Sequence, residues 1–132
     1  MTKEADALRA RTMQFAIRVV KMFQALPKAD VARTIGRQVL RSGTSVGANY
    51  RAVCRARSRA EFAAKLGLVI EEADETVFWL DLLTDTGIVR PSRMEALLKE
   101  ANELLAIFAA SQLTVKARPQ SSMRKSSIVN PD

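Results

Sequence analysis

Residues 58–85 read SRAEFAAKLGLVIEEADETVFWLDLLTD, and this stretch decides the fold class. Its apolar and small residues recur at alternating steps of four and three, which is the spacing of an amphipathic helix. Ser58 followed by Glu61 has the pattern of an N-terminal capping box, and Gly87 is a suitable C-terminal stop. We therefore predict a helix over 58–85 whose inward stripe consists of Phe62, Leu66, Val69, Ala73, Thr76, Leu80 and Leu83.

Three other stretches show the same periodicity. A helix over 4–26 ends before Pro27, because proline lacks the N–H donor. A helix over 30–57 opens at Asp30, a good N-cap residue. Its inward stripe contains Val31, Ile35, Gln38, Ser42, Val46, Asn49 and Val53.

The last helix is predicted over 92–116, where Ser92 and Glu95 form a second capping-box pattern. No window alternates in the manner of a strand. Four helices with short connections predict one all-α domain over 1–116, an antiparallel up-down four-helix bundle. Residues 117–132 mix serine, proline and charge without periodicity, which predicts a disordered basic tail.

Composition excludes several classes of protein. The 132 residues include no histidine, which removes the commonest general base and zinc ligand, and one cysteine, Cys54, which can form no internal disulfide. No apolar stretch approaches the length needed to cross a bilayer, and the charged N-terminus does not resemble a secretory signal. We therefore expect a cytoplasmic protein that is not an enzyme and has no metal, no cofactor and no membrane partner.

The second helix carries glycines and polar residues in the sequence GTSVGAN, residues 43–49. A phosphate-binding P-loop would need lysine and then serine or threonine after the second glycine, and Ala48 and Asn49 stand there instead. Gly43 and Gly47 lie on one side of the helix, which favours close packing against another helix. The inward amides and hydroxyls predict a structural polar network of Gln38, Ser42, Ser45 and Asn49.

The formal charge of +7 comes from one segment. Residues 31–60 hold seven arginines, no lysine and no acid, and basic and acidic residues balance in the rest of the chain. If the helix is continuous, five arginines fall in an arc of about 80° opposite the core stripe, and two lie at the helix exit. The row consists of Arg33, Arg37, Arg41, Arg51 and Arg55, followed by Arg57 and Arg59.

Three interpretations of the arginine row remain open. The row can be solvated or paired with the third helix, which has seven acids between Glu61 and Asp85 and one cation, Lys65. It can bind RNA or DNA phosphates, because arginine suits bidentate phosphate contact. It can also bind an acidic protein partner.

Phe78 lies among acids and outside the inward stripe of the third helix, with Trp79 on the stripe's other flank. A large aromatic side chain on an acidic surface indicates an interface. We therefore expect Phe78 and Trp79 to lie at the contact between subunits of a homo-oligomer.

The stretch RSGTSVGANYR followed by RARSRAEFAAKLGLVIEEADETVFWLDLL resembles the bacterial four helix bundle protein family, also called 23S rRNA-intervening sequence proteins. The resemblance covers about residues 8–108. Its helix motif matches Arg41, Ser42, Ser45, Val46 and Asn49, and a second pattern matches Phe62, Leu66, Gly67, Glu72 and Leu80.

This resemblance implies a bundle that assembles into a ring-like homopentamer and whose biochemical function is not established. The family is also similar to the accessory protein of diversity-generating retroelements, a basic pentamer that works with RNA. Many relatives carry a glutamate just after the asparagine motif, where this chain has Ala52 and Val53. The main functional prediction is a non-enzymatic, oligomeric bundle that binds RNA or DNA through its arginines. The alternative is an oligomeric scaffold or adaptor for an acidic protein partner.

Overall fold

A computed structural model describes residues 2–117, and the chain folds there into four helices without a strand. Consecutive helices pack side by side, and α1 and α4 close the bundle with a smaller contact. This confirms the predicted all-α four-helix bundle. The predicted tail lies outside the described residues, except for Ala117, which ends the last helix. The helices are α1 (Lys3–Gln24), α2 (Asp30–Val53), α3 (Arg59–Asp85) and α4 (Pro91–Ala117).

Both ends of α3 have the signals expected from the sequence. The Ser58 hydroxyl accepts a hydrogen bond of 3.0 Å from the Glu61 N–H, and the Glu61 carboxylate accepts one of 2.8 Å from the Arg57 N–H. Gly87 follows the helix with φ of +78°, a conformation that glycine adopts without strain. Its N–H donates to the Thr84 carbonyl, which satisfies one of the last carbonyls of the helix.

The predicted end of the second helix at residue 57 is wrong. α2 ends at Val53, and the Arg55 N–H then donates to the Ala52 carbonyl, a three-residue spacing that tightens the chain. Ser58 is extended because its side chain caps α3, so the helix cannot continue into it. Arg55 and Arg57 therefore project from the connection between helices and not from α2.

The start of α4 also differs from the prediction. Pro91 is its first residue, a position where a missing N–H donor does no harm. Ser92 therefore lies inside the first turn, and the predicted capping box with Glu95 is wrong. The Arg90 carbonyl instead accepts a hydrogen bond of 2.9 Å from the Arg93 N–H.

The core lies along the axis of the bundle and is almost entirely aliphatic and aromatic. Every helix contributes to it, and α3 contributes the residues predicted from its stripe. The largest side chains below 2% exposure are Phe15, Phe108, Leu66, Leu80, Leu83, Met94 and Leu104.

The buried face of α2 is turned towards α1 relative to the predicted stripe, and Val31 is consequently 63% exposed. The reason is the close approach of α1. A Cβ on Gly43 would lie 2.9 Å from a methyl carbon of Val19, and a Cβ on Gly47 would lie 3.3 Å from the Thr12 carbonyl oxygen. The glycines thus serve close helix packing, as predicted.

Candidate nucleic-acid interface

The predicted polar network is brought together only in part. Ser42 and Thr76 are both buried, and their hydroxyl oxygens lie 2.8 Å apart across the contact between α2 and α3. Gln38 is half-buried, and its side-chain amide oxygen Oε1 accepts a hydrogen bond from the Arg41 guanidinium. Ser45 and Asn49 are also half-buried, and their side chains make no hydrogen bond within residues 2–117. Ser42 and Thr76 therefore fix the register of α2 on α3.

Two arginines of the row are engaged by the neighbouring helices. Arg33 turns towards α1, and its guanidinium carbon lies 4.7 Å from the centre of the Phe23 ring, a cation–π distance. Arg41 turns towards α3, where it pairs with Glu72 at 3.3 Å and with Glu75. Because α2 is continuous through its glycines, the row spans the whole outward arc from α1 to α3.

Three arginines between these two seams point into solvent. Arg37 and Arg51 are exposed on α2, and Arg55 is exposed just beyond its end. None of the three forms an ion pair with another residue of the described chain. Arg37, Arg51 and Arg55 therefore form a cationic surface between the two seams without a paired acid within residues 2–117.

Sequence reasoning missed a contribution from α1. Arg9, Arg51 and Arg55 surround a cavity of about 120 Å³ together with Cys54. Arg9 also lies 3.8 Å from Asp6, an exposed pair one turn apart. Because Thr12 faces Gly47 on antiparallel helices, the position one turn before Thr12 meets the position one turn after Gly47. The glycines of α2 are the signal in the sequence: once they are taken to pack against α1, this pairing places Arg9 beside Arg51.

The last two predicted arginines are placed differently. Arg57 is exposed in the connection, where its backbone N–H holds the Glu61 carboxylate. That hydrogen bond is the main reason why the pKa of Glu61 lies below its ordinary value. Arg59 is half-buried as the first residue of α3. Arg57 therefore extends the solvent-facing basic surface beyond the helix, whereas Arg59 belongs to the packed end of the bundle.

Tyr50 lies below the arginine row and is 6% exposed. Its ring packs 5.5 Å from that of Phe108, and burial raises the pKa of Tyr50 to about 12. The phenol therefore stays neutral at physiological pH and adds no negative charge beneath the arginines. It is also too deeply buried to stack on a base. Cys54 is half-buried and packs against the core.

The predicted interface residues lie on the outward face of α3. Phe78 is 56% exposed and its ring contacts that of Trp79 edge to face, with centres 4.9 Å apart. The half-buried Trp79 donates from its indole nitrogen to Glu75 at 2.9 Å, which fixes the ring. Leu68 is 53% exposed on the same side of the helix. The exposed acids along this stripe are Glu71, Asp74, Asp81 and Asp85.

An open groove of about 560 Å³ separates α1 and α2 on their solvent side. Its walls are mostly apolar, and Met13 on its edge is 50% exposed. Ile17 and Val20 continue the exposed apolar stripe along α1. The residues around the groove are Asp6, Arg9, Ala10, Thr12, Met13, Ala16, Thr44, Gly47, Ala48 and Arg51.

The described chain shows no cluster of residues able to hold a metal ion. Within the same range, no helix is long and apolar enough to cross a membrane.

Comparison with known proteins agrees with the fold. A crystal structure of a protein of unknown function from the S23 ribosomal protein family of Bacteroides thetaiotaomicron is similar, with a TM-score of 0.76 and 31% sequence identity. The similarity covers 83% of this chain and 97% of the other. No curated protein matches. The family described as 23S rRNA-intervening sequence protein matches residues 7–110, so the chain belongs to that family.

Proposed function

We propose that this chain is a non-enzymatic, oligomeric bundle that binds RNA or DNA phosphates through the outward face of α2. The observation that carries the proposal is the exposure of Arg37, Arg51 and Arg55 without an acid to pair with them, joined by Arg9 from α1. Arginine on a rigid helix presents fixed donors to phosphate oxygens. Binding is largely independent of base sequence, since no exposed aromatic side chain lies among these arginines.

Salt-titrated binding to RNA and to DNA tests this proposal. Because counterion release drives such binding, each lost phosphate contact should reduce the magnitude of the negative slope of log K against log salt by about one. We expect Arg37→Glu/Arg55→Glu to reduce the magnitude of the slope by about two units, counting about one per contact, and to weaken binding to all sequences alike. Lys28→Glu/Lys99→Glu makes the same change in net charge at exposed sites elsewhere. Equal binding by both variants and the parent would refute the proposal.

The second candidate is a scaffold for an acidic protein. The contact of Arg41 with two carboxylates of α3 favours it, since the row already binds acids within the chain. Under this alternative, nucleic acid binds weakly at physiological salt in the parent protein. We place the protein in the cytoplasm, which is supported by its single cysteine.

We further propose that the oligomer forms head to tail, with the α3 stripe of one subunit in the α1/α2 groove of the next. The stripe is apolar and acidic, with Leu68 and Phe78 exposed, and the groove is mostly apolar, with Met13 exposed on its edge and charges of both signs, Asp6 and Arg9, among its lining residues. Within one subunit α1, which forms one wall of the groove, does not touch α3, which carries the stripe, whereas α2 packs directly against α3. Such a heterologous contact closes into a ring when the rotation allows it, which agrees with the pentamer implied by the family resemblance.

Mixing two variants tests the head-to-tail contact. Phe78→Asp disables the stripe and Met13→Asp disables the groove, and both positions are exposed, so folding should be preserved. We expect each variant alone to be a monomer by light scattering, and an equal mixture to form a heterodimer and nothing larger. Val31→Asp, at an exposed apolar residue elsewhere, should leave the oligomer intact. A mixture that stays monomeric contradicts this contact and leaves the nucleic-acid proposal to its own assay.

A further inference from the structure

A second groove, of about 520 Å³, opens where α1 and α4 diverge. Its floor is aliphatic, and it includes Leu26 and Leu97, which are 4% and 6% exposed. Half-buried side chains complete the floor and no aromatic ring lines it. The half-buried side chains are those of Met22, Ile88 and Val89.

Three arginines stand around this groove and no acid lines it. Arg18 comes from α1, and Arg90 and Arg93 come from the start of α4. All three are exposed, and none forms an ion pair or a side-chain hydrogen bond with another residue in the range 2–117. The positive end of the α4 dipole lies at the same rim and adds to the cationic field.

Two turns away along the contact between α1 and α4, an arginine is paired with acids that this groove lacks. Arg11 of α1 reaches across to α4, where it lies 2.7 Å from Glu100 and 2.7 Å from Glu103. Seven residues, or about two turns, further along α1 is Arg18, and seven residues back along α4 is Arg93. Arginine thus meets glutamate at one level, and at the next level Arg18 and Arg93 line the same groove. Arg18 still lies near enough to Glu100 for its charge to help lower the pKa of that carboxyl.

We propose that this groove binds a small amphipathic anion, with an aliphatic body on the apolar floor and a carboxylate or phosphate group between the arginines. The volume lies within the usual range of small-molecule sites, which combine an apolar lining with a few convergent polar groups. An anion would relieve the repulsion among Arg18, Arg90 and Arg93, and guanidinium groups form bidentate hydrogen bonds with both carboxylate and phosphate. This site is separate from the outward face of α2 and does not depend on nucleic-acid binding.

Titration with simple probes tests the site. Octanoate and octyl phosphate distinguish the two headgroups, while octanol lacks the charge, and acetate and inorganic phosphate lack the aliphatic body. We expect saturable binding of octanoate or octyl phosphate at millimolar concentration or below by calorimetry. NMR shifts should centre on Met22, Ile88 and Val89. The three control compounds should bind at least tenfold more weakly.

The variant Arg90→Gln/Arg93→Gln should weaken binding of the preferred probe at least tenfold. Both side chains are exposed, so its circular dichroism and unfolding midpoint should match those of the parent. Lys116→Gln, at an exposed cation near the opposite end of α4, should bind the probe like the parent. Absence of saturation with both charged probes overturns the proposal. So does equal binding of octanol, or undiminished binding by the double variant.

Discussion

Replacement of glycine by alanine should change the free energy of unfolding in opposite directions at Gly43 and at Gly67. The contact between α1 and α2 at Gly43 is the reason for the difference. A Cβ added to Gly43 lies 2.9 and 3.0 Å from the two methyl carbons of Val19, whereas carbon atoms pack comfortably at about 3.5–4.0 Å. Val19 is fully buried, and its β-branched side chain is confined to one rotamer in a helix, so it cannot turn away. The strain must move α1 as a whole.

The magnitude follows from two opposing terms. Overpacking a core position costs about 1–3 kcal/mol, and the rigid partner places this site in the upper half of that range. Alanine is favoured over glycine inside a helix by about 1 kcal/mol. We therefore expect Gly43→Ala to lower the free energy of unfolding by about 1–2 kcal/mol.

Gly67→Ala is the matched control. The nearest atom to its added Cβ is Nε2 of Gln112, at 3.2 Å. This is the end of a flexible side chain that donates a hydrogen bond of 3.1 Å to the Ala63 carbonyl and needs to shift by only a few tenths of an ångström. Here the helix preference should prevail, and we expect an increase in stability of about 0.5–1 kcal/mol.

Urea denaturation followed by circular dichroism measures both variants, with the midpoint and slope fitted together. All samples need one protomer concentration, because assembly would contribute to the apparent stability. If Gly43→Ala were stabilising to the same extent as Gly67→Ala, then α1 would not pack on α2 as closely as described. The double variant Val19→Ala/Gly43→Ala should recover part of the loss caused by the clash.

Two further predictions concern titratable groups. The hydrogen bond from Arg11 holds the pKa of Glu100 below its ordinary value. The pair therefore stabilises the fold at pH values above the unfolded-state pKa of Glu100. This contribution disappears as pH falls through the folded-state pKa. Glu100→Gln should therefore lower the free energy of unfolding by about 1 kcal/mol at pH 7 in urea denaturation. This loss should shrink as pH falls below the ordinary carboxyl range, and a loss that does not change with pH would contradict the role of the charge. Tyr50 is the one tyrosine of the chain, and burial raises its pKa to about 12. The neutral phenol therefore stabilises the folded state fully below the unfolded-state pKa near 10, and this stabilisation is lost as pH rises through the folded-state pKa. Absorbance at the phenolate band should show titration near pH 12, and a midpoint near pH 10 in folded protein would contradict its burial.

The face that α3 turns to the core could be predicted from the sequence, and the face of α2 could be predicted only in part. On α3, Leu66, Val69 and Leu80 are large apolar residues, so their burial is decided by spacing alone. On α2 the deciding residues are glycines, which have no side chain to count in a periodicity. Val31 was therefore assigned to the interior, although α1 packs against the glycine side of the helix.

The candidate site depended on which helices are neighbours. The exposure of Arg37 and Arg51 follows from their position on α2 and could be predicted. The turning of Arg41 into the acids of α3, and the arrival of Arg9 beside Arg55, depend on the pairing of antiparallel helices. That pairing is a tertiary property, and the local sequence around each arginine does not contain it.

The slight contact between α1 and α4 has a consequence for how the molecule opens. α2 and α3 each have two closely packed neighbours, whereas the terminal helices α1 and α4 each have one. The ion pair of Arg11 with Glu100 is a main contact between α1 and α4. Partial unfolding should therefore begin by release of a terminal helix while the central hairpin stays formed. Amide protons of α2 and α3 should exchange with solvent only through global unfolding, and those of α1 and α4 should exchange faster through this local opening.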